Sequence, residues 1–235
     1  MHLHVALTPR DAAAGHVQIV VDCIRATSTI AQALAAGYDR VVCVGEIEDA
    51  LRERAAGVVL GGERGGVRID GFDLGNSPAE YAEPRGSTLV LTTTNGTRAV
   101  LQAADEAEIV LIGALTCLDA VAAEAARLAD GGGVAVRCAG VRGEIALDDA
   151  YVAGRLVDRI AELAGTAELT DGARTARAIA RAYADPLAAL RDSQSARDLD
   201  GTGHEPDVAR CAVESVLAVA PRLDAIAPGR AVITA

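Results

Sequence analysis

Between residues 16 and 163, short runs of β-branched apolar residues alternate with longer stretches whose apolar residues recur at helical spacing. The runs are almost continuously apolar, so both faces of each strand must be covered. Strands buried on both faces belong in a largely parallel or mixed sheet between helical layers. The expected fold is therefore three-layer α/β/α. Strands are expected at 16–21, 40–44, 58–60, 88–92, 108–112 and 133–137, and helices at 26–36, 46–56, 77–83, 96–104, 117–129 and 146–163. Residues 67–72 alternate and read as a short hairpin or ordered loop. After about residue 165 the pattern turns mainly helical, at 173–184, 186–193 and 206–215, with a polar loop at 193–203 and late strands at 216–220 and 231–234. This divides the chain into an α/β core, 1–165, that carries the polar motifs, and a helical C-terminal portion, 166–235, expected to pack on the same domain as a cap. Aromatics are 2% of the chain and Trp is absent, so the core has to be built from Ala, Val, Leu and Ile.

The polar motifs fall where the apolar runs stop. Val21 is followed by Asp22-Cys23-Ile24-Arg25-Ala26-Thr27-Ser28-Thr29, and Leu60 by Gly61-Gly62-Glu63-Arg64-Gly65-Gly66. Leu91 leads into Thr92-Thr93-Thr94-Asn95-Gly96-Thr97-Arg98, and Val136 into Arg137-Cys138-Ala139-Gly140-Val141-Arg142-Gly143-Glu144. In open α/β sheets, ligands bind outside the carboxyl ends of the strands. Each motif combines an Arg, small hydroxyl or Gly positions, and an acid or amide, which is the chemistry of an oxyanion site. Asn95-Gly96-Thr97 opens a helix whose N-terminus can face a ligand. Asn76-Ser77-Pro78-Ala79-Glu80 marks a second helix start, with Ser77 as its cap.

Charge narrows the ligand. A formal charge of −11 argues against nucleic acid and against an anionic membrane surface as partners, while a homo-oligomer is compatible with this composition. All basic residues are Arg, which excludes Schiff-base chemistry and the P-loop lysine. Cys23, Cys43, Cys117, Cys138 and Cys211 show no zinc-ligand spacing and read as buried thiols of a cytoplasmic protein. No signal peptide and no apolar run long enough to span a membrane is evident.

Familiar phosphatase signatures fail. An aspartate nucleophile of the haloacid-dehalogenase type needs an acid two residues on, where Asp22 has Ile24. A cysteine phosphatase needs Cys-x5-Arg, whereas Cys23 meets Thr29 and Cys138 meets Glu144, so Cys138 reads as a packed thiol. His2, His4, His16 and His204 are too scattered for an imidazole-rich dinuclear site. If a metal is bound, oxygen ligands remain, and these favour magnesium.

The motifs also carry a resemblance. The segments 21–29 and 62–66, the string Gly71-Phe72-Asp73-Leu74-Gly75-Asn76-Ser77-Pro78, and the segments 92–97 and 138–144 resemble the 2-phosphosulfolactate phosphatase family, over about residues 16–220. The resemblance implies a magnesium-dependent phosphatase that releases phosphate from 2-phospho-3-sulfolactate, giving 3-sulfolactate on the way to coenzyme M. Such a substrate carries a phosphate, a carboxylate and a sulfonate, which suits several guanidinium forks in an otherwise acidic protein. Within that reading Asp22, Asp73 and Glu144 are the candidates for Mg²⁺ ligation, and Asp22 and Glu144 for catalysis. Arg25, Arg64, Arg98 and Arg142 would bind oxyanions. Thr27, Ser28, Asn76, Asn95 and Thr97, with the backbone around Gly96, would hydrogen-bond the phosphate and carboxylate. Two rivals stand beside it. One is a phosphatase of another phosphorylated 2-hydroxy acid. The other is a non-catalytic anion- or nucleotide-binding module, weakened by the absence of Gly-x-Gly-x-x-Gly after the first expected strand.

Overall fold

The structure, a computed structural model, describes residues 1–235. Its strands are β1 His2–Ala6, β2 Val17–Val21, β3 Arg40–Val44, β4 Val58–Arg64, β5 Val67–Arg68, β6 Thr88–Thr92, β7 Ile109–Gly113, β8 Gly133–Cys138, β9 Glu168–Leu169, β10 Arg222–Ala227 and β11 Arg230–Thr234. Its helices are α1 Ala26–Ala36, α2 Ile47–Arg52, α3 Gly96–Glu106, α4 Leu118–Leu128, α5 Leu147–Ala164, α6 Asp171–Ala182, α7 Pro186–Arg191, α8 Gln194–Arg197 and α9 Pro206–Cys211. Residues Pro78–Tyr81 form a single 3₁₀ turn rather than a longer helix, entered by a Pro at its first position.

One mixed sheet of eleven strands runs in the order β5-β4-β6-β3-β11-β10-β7-β2-β8-β1-β9, between helical layers. The β-branched strands place alternate residues on its two faces. Val17, Ile19 and Val21 join a core with α4, α5 and α6, while Val20 joins the opposite core with α1 and α3. Tyr81 and Tyr38, two of the few aromatics, lie in that second core with ring centroids 6.3 Å apart. All five cysteines are buried and unpaired. No helix is long and apolar enough to cross a membrane.

The C-terminal portion is helical from α6 to α9 and ends in strands. Residues 216–220 form no strand, but the late strand expected at 231–234 is β11, which with β10 makes an antiparallel hairpin inside the sheet, β11 against β3 and β10 against β7. The hairpin joins two parallel blocks, β4-β6-β3 and β7-β2-β8-β1, through three antiparallel pairings, so the blocks run in opposite formal sense. Its hold on β7 is slight: Arg222 opposite Leu111, and Ile112 N–H to the Pro221 carbonyl at 2.9 Å. β1 lies outside every expected strand. It pairs in parallel with β8 and with β9 and widens the sheet at that edge.

Candidate active site

The blocks meet at a cavity of about 370 Å³, lined by Asp22, Arg25, Glu63, Asn76, Asn95 and Arg142, among others. Helices α1 and α3 bridge the blocks: α1 follows β2 and packs on β7 and β3, and α3 follows β6 and packs on β2, β3 and β7. Their N-termini thus converge on Asp22. Gly96, the first residue of α3, permits this. A Cβ there would lie 2.6 Å from Asp22 Oδ2 and overlap Ala26 Cβ. Two converging helix N-termini favour negative charge between them.

Asp22 is 9% exposed. Its Oδ1 accepts from the Ala26 N–H at 3.2 Å, and no protein donor reaches Oδ2. Burial, and next the charge of Asp148, push its pKa from 3.8 up to about 7, with Glu63 adding to the rise. Asp148 and Asp149, in the first turn of α5, grip the same loop. Asp149 accepts from the N–H groups of Cys23 (2.8 Å) and Gly140 (2.9 Å), and Asp148 from that of Ile24 (3.2 Å) and the Ser195 hydroxyl (2.8 Å). Burial raises Asp148 to about 6 and drives Asp149 well above 3.8. Glu63 is satisfied by the N–H groups of Gly66 and Thr94, both at 2.7 Å, and by the Thr94 hydroxyl at 3.1 Å.

Arg25 is the buried cation beside these acids. Its NH1 donates to Asp207 Oδ2 at 3.0 Å and its NH2 to the Gly66 carbonyl at 3.3 Å, and the Arg25 and Asp207 side chains are each 3% exposed. Asp207, from α9, also accepts from the Ser77 hydroxyl at 2.7 Å. Ser77 is therefore a strut between the 71–78 string and α9. Arg142, on the cavity wall, has φ +54° and is paired with Asp198.

Of the residues expected at the site, the fold brings Asp22, Arg25, Asn76, Asn95 and Arg142 to the cavity, with the Gly96 backbone beside Asp22. The others lie outside its lining. Arg64 spans to the Gly45 carbonyl and the Thr92 hydroxyl, and Arg98 pairs with Glu46 on the surface. Thr27 and Ser28 bond back to the Asp22 and Cys23 carbonyls, and Thr97 to Thr93, so these buried hydroxyls shape the loops. Asp73 accepts from the Leu60 N–H and faces Arg54, and Glu144 is exposed near Arg10. Cys138 is fully buried, and burial with the charge of Asp149 pushes its thiol well above 9.0. His204 lies 3.8 Å from Asp207, half-buried.

Sequence reasoning assigns no role to Glu63 and does not reach Asp148, Asp149, Ser195, Asp198 or Asp207. Paired acids opening a helix look like ordinary dipole complements, and nothing local distinguishes Asp198 or Asp207 from surface acids. The one available signal was the apolar surround of Asp148-Asp149, Leu147 before and Ala150-Tyr151-Val152 after.

A hard cation fits this donor set. Asn76 Oδ1 is buried without a partner on the cavity lining, and Asp22 Oδ2 is free of protein donors. No three His, Cys, Asp or Glu side chains form a metal cage by themselves. Mg²⁺ characteristically takes one or two protein oxygens and completes its shell with waters and substrate phosphate.

A sequence profile described as 2-phosphosulpholactate phosphatase matches residues 3–225. A probable 2-phosphosulfolactate phosphatase of Thermus thermophilus is 43% identical over 226 residues, covering 95% of this chain and 94% of the relative. Relatives of the same description from Deinococcus radiodurans (40%, covering 95% and 93%) and Clostridium acetobutylicum (35%, covering 87% and 88%) agree. The chain belongs to the 2-phosphosulfolactate phosphatase family.

Proposed function

From that membership, we propose that the protein hydrolyses 2-phospho-3-sulfolactate to 3-sulfolactate and phosphate with the help of Mg²⁺. The observation that carries the reading is the free Asp22 oxygen between two helix N-termini, with Arg25 held beside it. The phosphoryl group binds against Arg25 and the N-terminus of α3 at Gly96. Asp22 and Asn76 supply the oxygens for Mg²⁺. Bound there, the ion would offset phosphate charge and polarise the phosphoryl oxygens. Burial raises the Asp22 carboxyl to about 7, and a bound cation would hold it in the ionised, ligating form. The buried Cys138 and the outward-lying Glu144 take no part.

The test is phosphate release over a panel of phosphorylated 2-hydroxy acids, with EDTA and with Mg²⁺ restored. The expected result is turnover of 2-phospho-3-sulfolactate that EDTA abolishes and Mg²⁺ returns. Full turnover in EDTA would remove the metal from the mechanism, and release from none of the panel would remove the phosphatase.

A further inference from the structure

We propose that the cavity divides its substrate between two arginines: Arg25 at the floor takes the phosphoryl end, and Arg142 at the mouth selects molecules with a second strong anion by exchanging Asp198 for it. The proposal rests on the phosphatase reading above and assigns the specificity of that same site.

The two guanidinium groups are held in opposite ways. Arg25 is buried and clamped by Asp207 and the Gly66 carbonyl, so it cannot follow a ligand. The Arg142 side chain is 72% exposed, and its only hydrogen-bond partner is Asp198, whose two oxygens share NH2, both at 3.1 Å. Its Nε and NH1 have no protein acceptor, so the fork that binds oxyanions in bidentate fashion is open. The backbone projects it. Gly140 (φ +69°) precedes, and Gly143 (φ +79°) lies beside Arg142 within, a turn closed by paired Val141–Glu144 backbone bonds of 3.1 and 3.0 Å.

Asp198 stays in place when Arg142 turns away, because Gln194 Nε2 also donates to its Oδ1 at 2.7 Å. The segment carrying Asp198 is tied to the floor through the Ser195–Asp148 bond. An exposed ion pair is worth little, so a substrate sulfonate, ionised at every working pH, can replace Asp198 at small cost. A substrate lacking that group leaves Arg142 with Asp198 and gains nothing from it.

The experiment compares 2-phospho-3-sulfolactate with 2-phospholactate, which differs by the missing sulfonate. In Arg142→Gln, kcat/KM for the sulfonated substrate should fall about tenfold or more relative to that for phospholactate, and mainly through KM, because the lost fork contacts a group remote from the reacting phosphorus. Asp198→Asn, which weakens the competitor, should lower KM for the sulfonated substrate. An unchanged ratio in Arg142→Gln, with no fall in KM in Asp198→Asn, overturns the division while leaving the phosphatase intact. Wild-type protein that releases phosphate from neither compound overturns the phosphatase reading, and this one with it.

Discussion

Asp207 shows how one side chain can decide a site from outside its motifs. Its carboxylate joins Arg25 of the β2–α1 loop to Ser77 of the 71–78 string, with both members of the ion pair out of water. Removing one partner strands the other as an uncompensated buried charge. Asp207→Ala should therefore cost about 3–5 kcal/mol, measured by urea unfolding. Kinetically it should raise KM, because Arg25 loses the clamp that aims it. Unfolding within error of wild type would mean that Arg25 finds another partner. At this scale sequence and structure place Asp22, Arg25 and Asn95 together on the cavity lining. Ser28 and Arg64, from the same motifs, lie off it with their donors on backbone carbonyls. No spacing rule tells a loop-shaping donor from a ligand-binding one.

Among the elements, β2, β3 and β6 end where their apolar runs end, and α1 covers the expected 26–36. These boundaries were readable because β-branched periodicity and the Asn-Gly turn act locally. How α5 meets α6 was not. Gly154 lies where α5 meets α6, and a Cβ there would overlap the Ala176 carbonyl oxygen. Gly154→Ala must part the two helices, and overpacking of this kind costs about 1–3 kcal/mol. The control is Gly133→Ala, whose added Cβ would meet nothing closer than 3.6 Å. Thermal unfolding should separate the two variants clearly, and equal melting temperatures would show that α6 shifts freely.

Across the whole molecule, the site gathers more negative charge than its arginines balance. Asp22 is raised from 3.8 to about 7 and Asp148 to about 6, with burial the main cause for both. A carboxyl raised in the folded state contributes its full stability below about pH 4, and that stability is lost as the pH climbs through about 7. Asp22→Asn cannot ionise. Without divalent cation, its melting temperature should gain on wild type progressively between about pH 4 and pH 7 and level off above. Mg²⁺ should then raise the wild-type value near neutrality and shrink the gap. A gap independent of pH would mean that Asp22 titrates alike in the folded and unfolded chain. The layered α/β plan, the strand-end motifs and the oxyanion chemistry were determined by the sequence itself, because burial patterning and side-chain type are local properties. The meeting of two oppositely running blocks, and the roles of Asp148, Asp149, Asp198 and Asp207, were decided by the tertiary structure alone. A hairpin at residues 222–234 wedged into the middle of the sheet sets which distant loops converge, and that long-range pairing leaves no periodic trace in the chain.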